Sequence, residues 1–195
     1  MFLAARRIRA TAEVAMMPVM QLADVVIESM RARITRVFPA QIRAALEHLS
    51  DEQIWWRPNE TSNSVGNLVL HLSGSLNHYL NRNIGGFPYE RDRAAEFAER
   101  RTIPRAELLA VFDDMVAKAD KTFDAVDAAR LEQPSAEPTL QRYVIEDLLN
   151  ITAHIATHTG QILWVAKMLV EGGAGREVWS KTHRDLGGWT GNAKA

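Results

Sequence analysis

The 195-residue sequence contains no cysteine, which excludes disulfides, thiolate nucleophiles and sulfur ligands to a metal. It lacks any uninterrupted apolar run near the roughly 18 to 20 residues that cross a bilayer, so we expect no transmembrane helix. It also lacks an excess of one charge, because 23 basic residues nearly balance 24 acidic ones. Nucleic-acid binders usually carry a basic excess. We therefore expect a cytoplasmic protein with neither nucleic acid nor a membrane as its partner.

The sequence also has no nucleophile elbow, phosphate-binding glycine loop or dinucleotide fingerprint in a suitable context. Its length fits a single domain. Residues 1–17 carry three arginines and no acid before Glu13, and we interpret them as an N-terminal extension, either disordered or caused by a misplaced translation start. Residues 18–172 are predicted to form the domain, and residues 173–195 a glycine-rich C-terminal tail.

Apolar residues recur every three or four positions, which predicts an all-α protein built on four long helices. We expect these helices over residues 18–49, 65–83, 102–126 and 139–170. Pro39 is predicted to break or bend the first helix, and Gly85 and Gly86 to end the second. The charged segment 87–101 is predicted to be irregular.

Three of the six histidines, His71, His154 and His158, lie on these long helices at positions that could share one site. His154 and His158 are four residues apart, which places them on one helix face, about 40° apart around the axis and roughly 6 Å apart along it. His71 lies among leucines in the second helix and is predicted to face inward. A histidine pair at this spacing also fits two polar residues packed at a helix seam. Three buried imidazoles without partners would be costly, however, and one divalent metal ion would satisfy all three.

Four more polar residues are candidates for a supporting role. Asp147 lies two turns before the histidine pair and could orient a ligand or a bound water, although an exposed acid near a helix start fits it better. Gln161, three residues after the pair, either donates to a metal-bound group or is a surface amide. Asn67, one turn before His71, either hydrogen-bonds it or lines the pocket. His78 is two turns beyond His71, too far to share one ion easily. No catalytic acid or base is predicted.

The order of the histidine motifs, and the stretch before the first of them, carry a family resemblance. His71 in a leucine-rich helix is followed after about eighty residues by His154-x-x-x-His158, with Gly160-Gln161 just behind. In this pattern the sequence resembles the DinB/YfiT-like metalloenzyme superfamily, and the resemblance extends from about residue 20 to about residue 170. The stretch WWRPNETSNSVGNLVLHLSG is similar to an uncharacterised subfamily within it. The resemblance implies a four-helix bundle of unusual connectivity, often dimeric, with a divalent metal held near one end by the three histidines.

Three protein ligands leave at least one coordination position open, which is typical of catalytic zinc. Imidazole suits several ions, of which we favour zinc or nickel. The resemblance implies a metal-dependent enzyme, either a hydrolase or a thiol S-transferase whose small-molecule substrate is a low-molecular-weight thiol. The alternative is a non-catalytic, stress-associated bundle that binds metal or a small ligand, and we expect a homodimer in either case. A third interpretation is a helical interaction protein whose histidines only pack.

Overall fold

The computed structural model describes residues 21–137 and 141–170. Over these two ranges the chain forms helices and no strand, apart from one isolated bridge between Pro134 and Tyr143, and the predicted all-α class is confirmed. The predicted N-terminal extension and C-terminal tail, and the predicted start of the fourth helix at Thr139, lie outside the described residues. None of the described helices combines the length and the apolar character needed to cross a membrane.

In the part of the chain that the structure describes, two stretches of π-helix lie within the four long helical segments. In chain order the elements are α1 (Leu22–Ala32), π1 (Arg33–Val37), α2 (Phe38–Glu47), α3 (Asp51–Ile54), α4 (Val65–Leu76), π2 (Asn77–Arg82), α5 (Arg93–Ala98), α6 (Arg105–Phe123), α7 (Ala128–Leu131) and α8 (Val144–Leu169). The elements α1, π1 and α2 follow one another without a break, as do α4 and π2. The first two predicted helices are therefore each continuous.

The first segment does not end at Pro39. Its hydrogen-bonding pattern widens from α to π over the preceding turn, and the Phe38 N–H donates to the Arg33 carbonyl five residues back. A proline ring clashes with the preceding turn of an α-helix and brings no N–H of its own. The wider π turn lies where this clash would fall, and Pro39 itself is buried in α2.

Local features of the chain explain where the second segment begins and stops and where the fourth begins. Ser64 and Asn67 form a reciprocal capping box that starts α4. The second segment stops at two glycines, as predicted. A side chain at Gly85 would come within 2.2 Å of Thr122 Oγ1, and Gly86 has a φ of 73°, which favours glycine. Helix α8 starts at Val144, later than predicted, after the bridge at Tyr143.

The long segments pack around one hydrophobic core. Helix α4 contacts α6 and α8, and α2 contacts α8. Among the described residues, the largest side chains that are fully buried are Phe112, Ile34, Ile42, Leu46, Leu49, Ile54, Leu72, Leu76, Leu80, Leu108, Met115 and Leu148. Trp55 adds to the core and donates its indole N–H to the Ile103 carbonyl at 2.9 Å. This packing brings α4 and α8, which carry the three histidines, side by side.

The segment 87–101 is not entirely irregular, and this part of the prediction is wrong. Residues 93–98 form the short helix α5, which Asp92 caps by accepting from the Ala95 N–H. Helix α5 packs on α4 and buries Glu96 against it. A segment rich in charge is thus folded onto the helix that carries His71, because one of its acids has partners there.

Candidate metal centre

The three predicted histidines meet at their Nε2 atoms. His71 Nε2 lies 3.0 Å from His154 Nε2, and His158 Nε2 lies 3.1 Å from the same atom. One ring nitrogen from each lies within 4.8 Å of the others, so the group could hold a metal ion. The rings stand nearly perpendicular to one another. Helix α4 supplies one ligand candidate, and successive turns of α8 supply the other two, as the spacing predicts.

The partners of the other ring nitrogens indicate which tautomers are present. His71 Nδ1 lies 2.8 Å from Glu96 Oε2, and His158 Nδ1 lies 2.6 Å from Gln161 Oε1. Both partners are assigned as acceptors, so His71 and His158 carry their ring proton on Nδ1 and leave a lone pair on Nε2. Metal-binding histidines in proteins usually donate their second ring N–H in this way.

Hydrogen bonding among the three imidazoles alone leaves this arrangement unsatisfied. Two Nε2 lone pairs face His154 Nε2, which can offer at most one proton, so one of the two contacts would set lone pair against lone pair. A cation between the three nitrogens removes the conflict. Nitrogens bound to one zinc ion at about 2.0 to 2.1 Å lie about 2.9 to 3.4 Å apart in the common geometries, a range that includes the 3.0 and 3.1 Å separations from His154 Nε2. The residues present therefore fit a divalent ion.

Burial favours the neutral, ligating form of the imidazoles. Desolvation lowers the pKa of His154 to about 4, with a smaller contribution from the neighbouring His158. Desolvation also lowers the pKa of His71, although the hydrogen bond with Glu96 acts in the opposite direction. At neutral pH both rings are uncharged, so a second proton does not compete with a metal ion for their free nitrogen.

Two features besides His71 hold Glu96 in place, and a third contact holds the His71 ring. Arg91 donates from Nε to Glu96 Oε1 at 2.7 Å and from Nη2 to Oε2 at 2.9 Å. Gly74 leaves the space that the carboxylate fills, because a Cβ there would stand 2.0 Å from Oε1. Phe97 packs on the His71 ring with the ring centroids 4.6 Å apart. Helix α5 thus fixes the orientation of His71 from the side opposite α8.

One of the two alternatives for Asn67 was a hydrogen bond to His71, and the structure does not show this bond. Its side-chain oxygen accepts from the N–H and hydroxyl of Ser64, and its Nδ2 donates to the carbonyls of Glu96 and Glu99. The residue is fully buried. Its contribution to the site is therefore indirect, because it fastens the segment that carries Glu96 to the start of α4.

Asp147 is buried, and the preferred interpretation of it as an exposed acid is wrong. It is only 4 % exposed, forms an ion pair with Arg142 at 2.9 Å and accepts a short hydrogen bond from Ser135. It lines a cavity of about 260 Å³ together with His154 and Asn150. The residue therefore lies beside the histidine site without touching the imidazoles.

Of the two remaining candidates, Gln161 contacts a histidine of the site and His78 does not. Gln161 contacts the site, although it accepts from His158 rather than donating to a bound group. His78 lies apart from the group and faces Glu137 at 3.5 Å. Glu96 and Arg91 were not predicted as part of the site, and both lie in the segment predicted to be irregular. The one local signal for them is Gly74, a glycine inside a long helix one turn after His71, which indicates a close approach by another part of the chain.

The chain was compared with protein families, curated proteins and solved structures. The model of one family, described as a protein of unknown function (DUF1572), matches residues 21–175. The comparisons with curated proteins and with solved structures gave no match. The matched range includes all three histidines, Glu96 and the cavity beside His154.

Proposed function

This chain belongs to the DUF1572 family, and we propose, from its own residues, that it binds a divalent metal ion and is a metal-dependent enzyme. The convergence of three Nε2 atoms, two of them with a lone pair fixed by an acceptor on Nδ1, carries this proposal. His71, His154 and His158 would hold the ion. Zinc or nickel suits the all-imidazole ligand set.

The reaction is proposed to be of the thiol S-transferase or hydrolase type. A divalent ion held by three protein ligands keeps a position for a substrate or water, whose pKa it lowers. The chain contains no cysteine, so any sulfur nucleophile comes with the substrate. The cavity of about 260 Å³ next to His154 gives a small molecule access to the site. Glu96 and Gln161 keep the ligand imidazoles oriented, and α5 covers His71 from the other side.

We further propose that the four long segments form a four-helix bundle of the DinB/YfiT-like type. The packing of α4 on α6 and α8, and of α2 on α8, supports this arrangement. The homodimer and the cytoplasmic location stay predictions from the sequence.

The experiment that tests the proposed site is elemental analysis of protein purified without a histidine tag. We expect about one zinc or nickel ion per chain in the wild type and a loss of most of it in the His154→Ala and His158→Ala variants. His48→Ala is the matched control, because His48 is exposed and lies outside the site.

Two results would contradict the proposal at different levels. A wild-type protein that contains no metal and takes up none on reconstitution at neutral pH would remove the site altogether. In the second result, the protein binds metal, but the absorption spectrum of its cobalt-substituted form stays unchanged on addition of thiols, hydroxamates or other small ligands. Such a spectrum would show that the metal site is closed. That second result would favour the non-catalytic alternative.

A further inference from the structure

The cavity beside His154 has a chemical character that bears on the substrate. Its lining consists of His154, Tyr79, Asn150, Ile151 and the ion pair of Arg142 with Asp147. With a volume of about 260 Å³, it fits a small organic molecule rather than a polymer segment. His154 is the member of the histidine group whose Nε2 contacts both others, so the cavity adjoins the centre of the site.

The donors and acceptors of the ion pair are unequally used. The two oxygens of Asp147 are both engaged, Oδ1 by Arg142 and Oδ2 by the Ser135 hydroxyl. The guanidinium offers five N–H groups, its Nη2 pairs with Asp147, and the Arg142 side chain stays 28 % exposed. The pair therefore has donors to spare and no free carboxylate oxygen.

We propose that this cavity binds the carboxylate, or an equivalent anionic group, of the small substrate, and that Arg142 recognises it. The inference rests on the proposed function, because the same substrate would reach the metal held by the three histidines. A guanidinium that already holds Asp147 keeps a rigid orientation and still presents N–H groups for a second anion. Three neutral imidazoles leave the charge of a divalent ion uncompensated, which also favours a negatively charged ligand.

The rest of the lining limits the shape of the ligand. Tyr79 and Asn150 add a hydroxyl and an amide, which can hydrogen-bond a polar group, and Ile151 adds an apolar surface. The class of substrate is therefore a small acid with a donor atom for the metal a few bonds from its carboxylate. Short mercaptocarboxylates meet this description and can serve as probes.

The test compares two probes of nearly equal size, one with a carboxylate and one with a neutral amide in its place. Isothermal titration calorimetry of the zinc-loaded protein would measure the affinity for 3-mercaptopropionate and for 3-mercaptopropionamide, its neutral analogue. We expect the acid to bind about tenfold more tightly or better, since hydrogen bonds to charged groups are the stronger ones. In Arg142→Gln the preference should fall to within about threefold, while the metal content stays at the wild-type level.

Two further variants keep the result interpretable. Arg142→Gln leaves the buried Asp147 carboxylate unpaired, so the double variant Arg142→Gln/Asp147→Asn removes that charge as well and should show the same loss of preference. Arg43→Gln is the matched control, because Arg43 also pairs with an aspartate, Asp113, but lies outside the cavity lining. It should retain the full preference for the acid.

The outcomes separate this inference from the proposed function. Equal affinities for acid and amide in the metal-loaded wild type, or no binding of either, would overturn the inference and leave the metal site standing. A preference that persists in both Arg142 variants would also overturn it. Failure of the wild type to take up metal would overturn the proposed function, and this inference with it.

Discussion

Replacement of Glu96 by glutamine isolates the effect of the carboxylate on the metal site. The glutamine oxygen can still accept from His71 Nδ1, so the variant retains the shape and the hydrogen bond and removes the negative charge. The charge of Arg91 then loses its partner, and its Nη2 lies 3.3 Å from His71 Nδ1. Both changes make the imidazole a weaker ligand, because a carboxylate partner raises the basicity of the ring and a cation lowers it.

The size of the effect follows from these contacts. A hydrogen bond to a charged group contributes about 1.5 to 3 kcal/mol and one between neutral groups about 0.5 to 1.5, so the exchange should cost about 1 to 2 kcal/mol. This corresponds to an affinity about 5- to 30-fold weaker. In the double variant Glu96→Gln/Arg91→Met the unpaired cation is gone, and part of the lost affinity should return.

Competition with a chromophoric zinc chelator at pH 7.5 would measure these affinities. Glu99→Gln is the matched control, because Glu99 lies in the same segment but pairs with Arg101 instead of a histidine. An affinity within twofold of the wild type in Glu96→Gln, or the same loss in Glu99→Gln, would refute the role assigned to Glu96. A circular dichroism melt of each metal-free variant would show whether α5 stays folded.

Two more predictions follow from the burial of the site. Because the folded-state pKa of His154 is about 4 and that of His71 is also lowered from 6.5, the unfolded chain binds protons below pH 6.5 that the folded chain does not. The free energy of unfolding of the metal-free protein should therefore fall from pH 6.5 towards 4. Urea titrations at pH 7.5 and pH 5 should show a smaller fall in His154→Asn than in the wild type. An equal fall in both proteins would contradict this reasoning. Gly74→Ala should displace Glu96, lower stability by about 1 to 3 kcal/mol and weaken zinc binding, whereas the neighbouring Ser73→Ala should leave zinc binding unchanged. Unaltered chelator competition in Gly74→Ala would rule out the tight fit of the carboxylate.

The histidine group could be predicted from the sequence because its geometry follows from local rules. A spacing of four residues fixes the relation of His154 to His158 on any helix, and leucines on both sides of His71 indicate an inward position. Apolar periodicity likewise gave the four long segments to within a few residues. The π turns were not predictable in this way, because they change the period over only five or six residues.

The surroundings of the group depend on contacts between distant parts of the chain, and these leave little trace in the sequence. Glu96 lies 25 residues from His71, among several other charged residues, and only the packing of α5 on α4 distinguishes it from them. Asp147 stands at a helix start, where an acid commonly faces solvent, and its burial depends on Arg142 and Ser135. Asn67 has the right position next to His71, but its hydrogen bonds go to the cap and to α5.

The side chain of Asn67 also couples two local motions that would otherwise be independent. Its oxygen accepts from Ser64 at the first turn of α4, and its nitrogen donates to the carbonyls of residues 96 and 99, so a side-chain displacement caused by either fraying of the helix start or lifting of α5 disturbs both sets of hydrogen bonds. Segments joined in this way open together, at a free energy higher than either would need alone. Although α5 is a short helix between two loops, it should therefore open locally as rarely as the start of α4. The orientation of His71 should then persist while the surrounding loops fluctuate.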